Sequence, residues 1–314
     1  MTGRTHRQGI DKTLLRSLAT ADRGRVTART TVLLGGYAVV AALALWADSG
    51  WWALLGSVVL GFVLAGFINA AHDCVHGSHL RSKRANRVAG AAWSTPILLN
   101  FTIYRHQHLV HHRFTGVEGD TEPEETFTTL RAYLYALSGV PFWPGFPRRI
   151  WKTWRNDFPA SVGTEDRRRQ ARQDNTAICA WIVLTAVLTV LFPYPLLIAY
   201  WLPLVFSLPA GVFLSLPEHY GLWGVPEISR NTRTVRSNRL VRYVVWNANY
   251  HAEHHRYPAV ASVNLHKLHR AMPDPHPVQE KSYFRFHAGL FGALSRGDQD
   301  YGKLTTPHGR HSDN

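Results

Sequence analysis

Residues 51–76 read WWALLGSVVLGFVLAGFINAAHDCVH, an apolar run that ends on two histidines four apart. The apolar part, 51–71, matches the ~20 residues that a helix needs to cross the hydrocarbon core of a bilayer. Working outward, a second apolar run at 31–47 is separated from it only by Asp48-Ser49-Gly50. Two more lie at 176–192 and 195–217, with Tyr194 between prolines as their turn. No Lys or Arg occurs from Thr31 to Leu80 or from Gln173 to Ser229. The mean hydropathy of −0.15 hides this segregation of apolar and basic blocks. The expectation is an all-α membrane protein with four transmembrane helices in two tight hairpins. A cleaved signal peptide fits the first run poorly, because its basic leader is long and a second span follows at once.

The net charge is +14, and the basic residues crowd into 1–29, 81–172 and 230–242 while both hairpin turns carry none. By the positive-inside rule, both termini and both large hydrophilic regions belong in the cytoplasm. The expected location is multi-pass in a bacterial cytoplasmic membrane, with a cytoplasmic helical cap. No nucleic-acid motif accompanies the charge. It suits anionic lipid headgroups instead, and a basic face would also steer an acidic electron-donor protein. Two cysteines, Cys74 and Cys179, leave no disulfide framework and no cysteine-based zinc or iron–sulfur site. The domain expectation is a disordered or interfacial arm at 1–29, one membrane domain at 30–290 and a frayed tail at 291–314. The segment 133–146 is apolar but short and broken by Pro141, Pro144 and Gly145, so it is expected to lie in the interface.

Eighteen histidines are many for 314 residues, and their spacing matters more than their number. His72 and His76 follow the second span and share a helix face. His108, His111 and His112 stand at i, i+3, i+4, and His251, His254 and His255 repeat that spacing. His219 stands alone just past the fourth span. A lone histidine is ordinarily a surface or core residue, and a single HxxHH arises by chance. Two HxxHH boxes and an HxxxH on one side of one membrane are a metal-binding signal, since buried unpaired imidazoles are costly. Nine imidazoles suit two ions. They do not name the metal, because iron, copper, zinc and nickel all accept this donor. The zinc-peptidase HExxH pattern fails, because Glu253 follows His251 by two.

These stretches resemble the membrane fatty-acid desaturase and hydroxylase family, whose members are integral-membrane di-iron enzymes. The matching residues are 72–77 (HDCVHG), 108–112 (HLVHH), 247–255 (NANYHAEHH), Tyr257-Pro258 and 265–269 (LHKLH). The resemblance implies that the eight box histidines and His219 hold two iron ions. The Glu-His-Tyr-Gly run at 218–221 is also similar to a stretch in alkane hydroxylases. It further implies that Asn247, taken to lie one helical turn before His251, holds a water on one iron. Asp120 and Glu122 follow the second box where relatives carry acids, and are expected either to fix histidine tautomers or to form a solvated acidic loop. His79, on the face of His72 and His76 if that helix continues, is a possible extra ligand. His266 and His269 are expected at the surface or behind the ligands.

By resemblance, the function expected is O2-dependent desaturation of a fatty-acyl lipid chain entering from the bilayer. Hydroxylation or ketolation of a fatty chain, a carotenoid or an amphiphilic secondary metabolite stays open, because only three residues separate the first-box histidines. No heme-binding module is fused, so electrons are expected from a separate carrier such as ferredoxin or rubredoxin. A membrane metal transporter or sensor is the rival of another class. It predicts polar ligands midway through the spans, where this sequence has almost none.

Overall fold

The computed structural model describes residues 10–122, 126–272 and 278–303. Among these, the regular secondary structure is helical apart from a two-residue parallel pairing of Thr234–Val235 with Gln279–Glu280. Among the described residues, four helices are long and apolar enough to cross a membrane: Arg23–Trp46, Gly50–Val75, Glu165–Leu191 and Pro193–Glu218. Each is longer than its apolar run. Arg23–Trp46 starts within the basic arm because Asp22 caps it, its carboxylate accepting from the Gly24 and Arg25 amides. Glu165–Leu191 starts on Thr164, which accepts from the Arg167 amide, with Glu165 and Asp166 in its first turn where the helix dipole favours acids.

The second span breaks at Gly66 into Gly50–Ala65 and Phe67–Val75. A Cβ at Gly66 would lie 2.5 Å from the Val244 carbonyl oxygen, so only glycine lets these segments meet. The fourth span carries a π-helical turn at Leu197–Trp201, just before Pro203, whose missing N–H cannot continue a regular ladder.

The cap is built from short helices tied to span ends. Phe101–Phe114, which carries the second histidine box, begins where Asn100 accepts from the Ile103 amide and Asp174 accepts from the Thr102 amide and hydroxyl. Asp174 also pairs with Arg87 at 2.5 Å, so a carboxylate at the head of the third span is neutralised while it fixes the box helix. The 133–146 segment folds into the ends of two helices, Leu130–Leu137 and Phe142–Trp154, neither among the four candidate spans. Between them Gly139, at φ +71°, sits so close to the fourth span that a Cβ would lie 2.5 Å from that of Leu208.

Within the described residues, two terminal segments are helical where the expectation was a disordered or interfacial arm and a frayed tail. In the arm, Lys12–Ala19 is a helix that buries Leu18 against Tyr250, Val260, Leu265 and Leu268. Residues 1–9 of the arm lie outside the described part. In the tail, Tyr283–Ser295 passes the expected boundary, and Tyr301 packs on Phe286. Residues 304–314 lie outside the described part. Apolar side chains hidden in the sequence pattern account for both differences.

Candidate metal centre

The nine histidines from the boxes and position 219 converge at one end of the bundle. His72, His76, His108, His112 and His254 form one group, and His111, His219, His251 and His255 form another; within each, one ring nitrogen per residue lies within 4.8 Å of every other. Each HxxHH box is divided between the groups. On a helix, positions four apart share a face while adjacent positions diverge by about 100°. His108 and His112 therefore turn to the first group and His111 to the second. In the third box His251 and His255 face the second group and His254 the first.

The inward nitrogens crowd within hydrogen-bond distance of one another. His112 Nε2 lies 2.9 Å from His108 Nε2 and 3.0 Å from His254 Nε2. His251 Nε2 lies 3.1 Å from His255 Nε2 and 3.2 Å from His219 Nε2. Among the described residues, His72 Nε2 and His76 Nε2 are buried with no hydrogen-bond partner. Each unpaired buried nitrogen costs about 1–3 kcal/mol unless something accepts its lone pair.

The outward atoms set the tautomers. His219 Nδ1 lies 3.0 Å from the Asn231 carbonyl oxygen, which only accepts, so the proton sits on Nδ1 and the Nε2 lone pair points inward. His111 Nδ1 is 2.8 Å from Asp120, His108 Nδ1 is 3.1 Å from Glu122, and His255 Nδ1 is 3.2 Å from the Thr115 hydroxyl. Carboxylate–histidine pairs of this kind orient metal ligands and raise their basicity. Burial disfavours the charged form of several of these rings. It pushes His76 and His219 down to about 3, helped by the neighbouring His72 and His111 respectively. His108, His251, His254 and His255 are also held well below the usual histidine range, by burial first and by the other imidazoles second. Clustered imidazole donors in sets of five and four fit two transition-metal ions.

Two candidates do not join these groups. The helix carrying His72 ends at Val75, and Gly77 turns the chain at φ +71°, so His79 leaves the shared face. Its Nδ1 sits 3.1 Å from the buried Asp73 carboxylate, and its ring packs on Trp246 at 4.9 Å. Asn247 is not on a helix with His251. Trp246 and Asn247 take left-handed backbone (φ 54° and 59°) ahead of the helix His251–Arg256, and Asn247 Nδ2 donates to the Ser262 carbonyl. Helical counting from these residues therefore misplaces both. His269 lies behind the third box, its Nδ1 2.5 Å from the fully buried Glu253, and His266 is half-exposed.

Sequence reasoning missed Glu218, whose Oε2 is 3.4 Å from His251 Nε2. Its signal was its place in the Glu-His-Tyr-Gly run, directly before His219. It also missed Asp73, which joins the first box to the segment after the third by accepting from the Ser262 amide and hydroxyl at 3.1 and 3.0 Å.

Beside the histidines lies a cavity of about 620 Å³. His72, His108, His111, His219, His251 and Glu218 form its polar end. Ala65, Ile68, Phe142, Leu208 and Val212 form an apolar wall between the second and fourth spans.

Comparison with known proteins agrees with this arrangement. Over 122 residues the chain is 32% identical to an sn-1 oleoyl-lipid 12-desaturase of Picosynechococcus, covering 36% of this chain and 35% of the relative. It is 25% identical to a Caenorhabditis elegans protein named for a sphingolipid delta(4)-desaturase/C4-monooxygenase, covering 71% and 60%. It is 24% identical to an sn-1 oleoyl-lipid 12-desaturase of Anabaena variabilis, covering 74% and 60%. The chain thus spans between about a third and three-fifths of the length of these relatives. The fatty acid desaturase family model matches residues 49–287, which take in all four histidine stretches and three of the four spans. By that match, the chain belongs to the fatty acid desaturase family.

Proposed function

We propose that the chain is a membrane oxidoreductase that uses O2 and external electrons to desaturate a fatty-acyl lipid chain at two irons held by the nine grouped histidines. One observation carries the reading: two sets of inward lone pairs meet the polar end of an apolar cavity set between two membrane spans. Two irons, when bound, supply the oxygen-activating redox chemistry that an unactivated C–H bond requires. Overall, two hydrogens leave adjacent methylenes, and O2 with two electrons and two protons becomes two waters. The protein's part is to position and to keep dry. Ile68, Phe142, Leu208 and Val212 hold the chain along the cavity and exclude water, while Asp120, Glu122 and the Asn231 carbonyl hold the ring protons outward. The charge pattern supports a cytoplasmic face for the histidine end.

Hydroxylation is the second reading. The C. elegans relative's name joins a desaturase to a monooxygenase, and the two outcomes differ only in the last step. The test is expression in a host with a known lipid profile, with metal analysis of the purified protein. About two irons per chain and acyl chains lighter by two hydrogens support desaturation. Products heavier by one oxygen support the second reading. Zinc in place of iron, or an unchanged lipid profile with iron loaded, overturns both.

A further inference from the structure

On the far side of the third box lies a second concavity, of about 930 Å³ and different chemistry. Arg25, Arg29, Arg236, Arg239, Arg242 and Arg270 line it, and among the described residues no carboxylate does. Four of these arginines, Arg25, Arg236, Arg239 and Arg270, are exposed. A concave wall carrying six like charges focuses a positive potential that draws anionic partners.

The position of the groove matters as much as its charge. The segment 245–251 is a partition between the two concavities. Val245, Ala248 and His251 face the acyl cavity, while Asn247, Asn249 and Tyr250 face the groove. Tyr250 accepts a hydrogen bond from Arg242 at 2.8 Å and directly precedes His251, the first histidine of the third box. His269, also on the groove wall, reaches Glu253 inside that box helix. A partner seated in the groove is therefore one residue of chain from the histidine centre, yet does not compete with the cavity that excludes water.

We propose that this arginine groove is the docking site of a small acidic one-electron carrier protein. The proposal rests on the oxidoreductase reading, in which electrons come from an external carrier. Anionic lipid headgroups share the carrier's charge, but a lipid has no use for the wall behind the third box.

The test uses the iron-loaded full chain in neutral-lipid nanodiscs, with a reduced acidic plant-type ferredoxin as the probe and dithionite as a carrier-free reductant. In the variant R236E/R239E/R270E, the KM for ferredoxin should rise at least about tenfold, since charges at a docking rim govern encounter. Turnover with dithionite should hold, because none of the three side chains touches the histidine groups. Ferredoxin-driven turnover of the unaltered protein should also weaken as ionic strength passes ~0.1 M, where screening acts over about 10 Å. An unchanged KM overturns the docking site. So does an equal loss with dithionite, which makes the groove structural, or a loss confined to binding of phosphatidylglycerol vesicles, which makes it a lipid site. Absence of dithionite-driven turnover in the unaltered, iron-loaded chain would instead sink the oxidoreductase reading.

Discussion

The two histidine groups differ in how they are secured. The group of five takes a pair from the end of the second span, a pair from the second box and His254. The group of four leans on His219, which belongs to no box and is held through one bond to the Asn231 carbonyl. It is also the group beside Glu218, a carboxylate 3.4 Å from His251 Nε2. One site has a donor to spare, although His76 also stands just past a helix end. The other is minimal, with one donor just past a helix end. Losing a donor should therefore cost the second group more than the first.

Acid should erase the distinction, and this is the largest effect expected. In the folded, metal-free chain His76 of one group and His219 of the other lie near 3, below the ordinary histidine value of 6.5. The unfolded chain then binds more protons, so this contribution to stability is complete above about pH 6.5 and is lost as the pH falls toward 3. Thermal unfolding of metal-free protein should show the midpoint dropping steadily below pH 6.5. A flat profile would mean the rings are not buried neutral.

His251→Ala should separate the groups most sharply. It removes a nitrogen that lies near His219, His255 and Glu218 at once. Metal analysis should find about one iron per chain instead of two, with turnover down about a thousandfold, beyond the 10–100-fold typical of residues behind the ligands. His76→Ala leaves four imidazoles in its group. It should keep more than one iron per chain and lose about a hundredfold in turnover. Equal metal loss in the two variants would break the comparison.

Asp120→Asn acts one layer out, on the His111 Nδ1 proton. Metal should be stripped by chelator about 10–100-fold more readily, from the group of four first. The smallest effect belongs to Thr115→Val, which removes a hydroxyl from His255 Nδ1 and from the His111 carbonyl. A hydrogen bond is worth about 1 kcal/mol, so metal retention should weaken by no more than about fivefold.

Much of this was legible in the residues. Spans of bilayer length announce themselves by hydropathy, and i, i+4 histidines announce a shared face. Legibility failed where the backbone leaves the helix. Gly77 diverts His79, and the left-handed pair Trp246 and Asn247 interrupts the count to His251. Glu218 was hidden because an acid beside one histidine has no periodicity. The arm helix Lys12–Ala19 and the packing of Tyr301 were hidden because a few apolar residues, Leu18 and Tyr301 among them, dock on partners far away in sequence. Helical periodicity encodes neighbours within an element and says little about contacts between elements.

The break at Gly66 has a mechanical consequence. Gly66 lies just before the turn that carries His72 and passes so close to the Val244 carbonyl that there is no room for a Cβ. Any side chain at this position should push the first histidine pair away from the segment that leads into the third box.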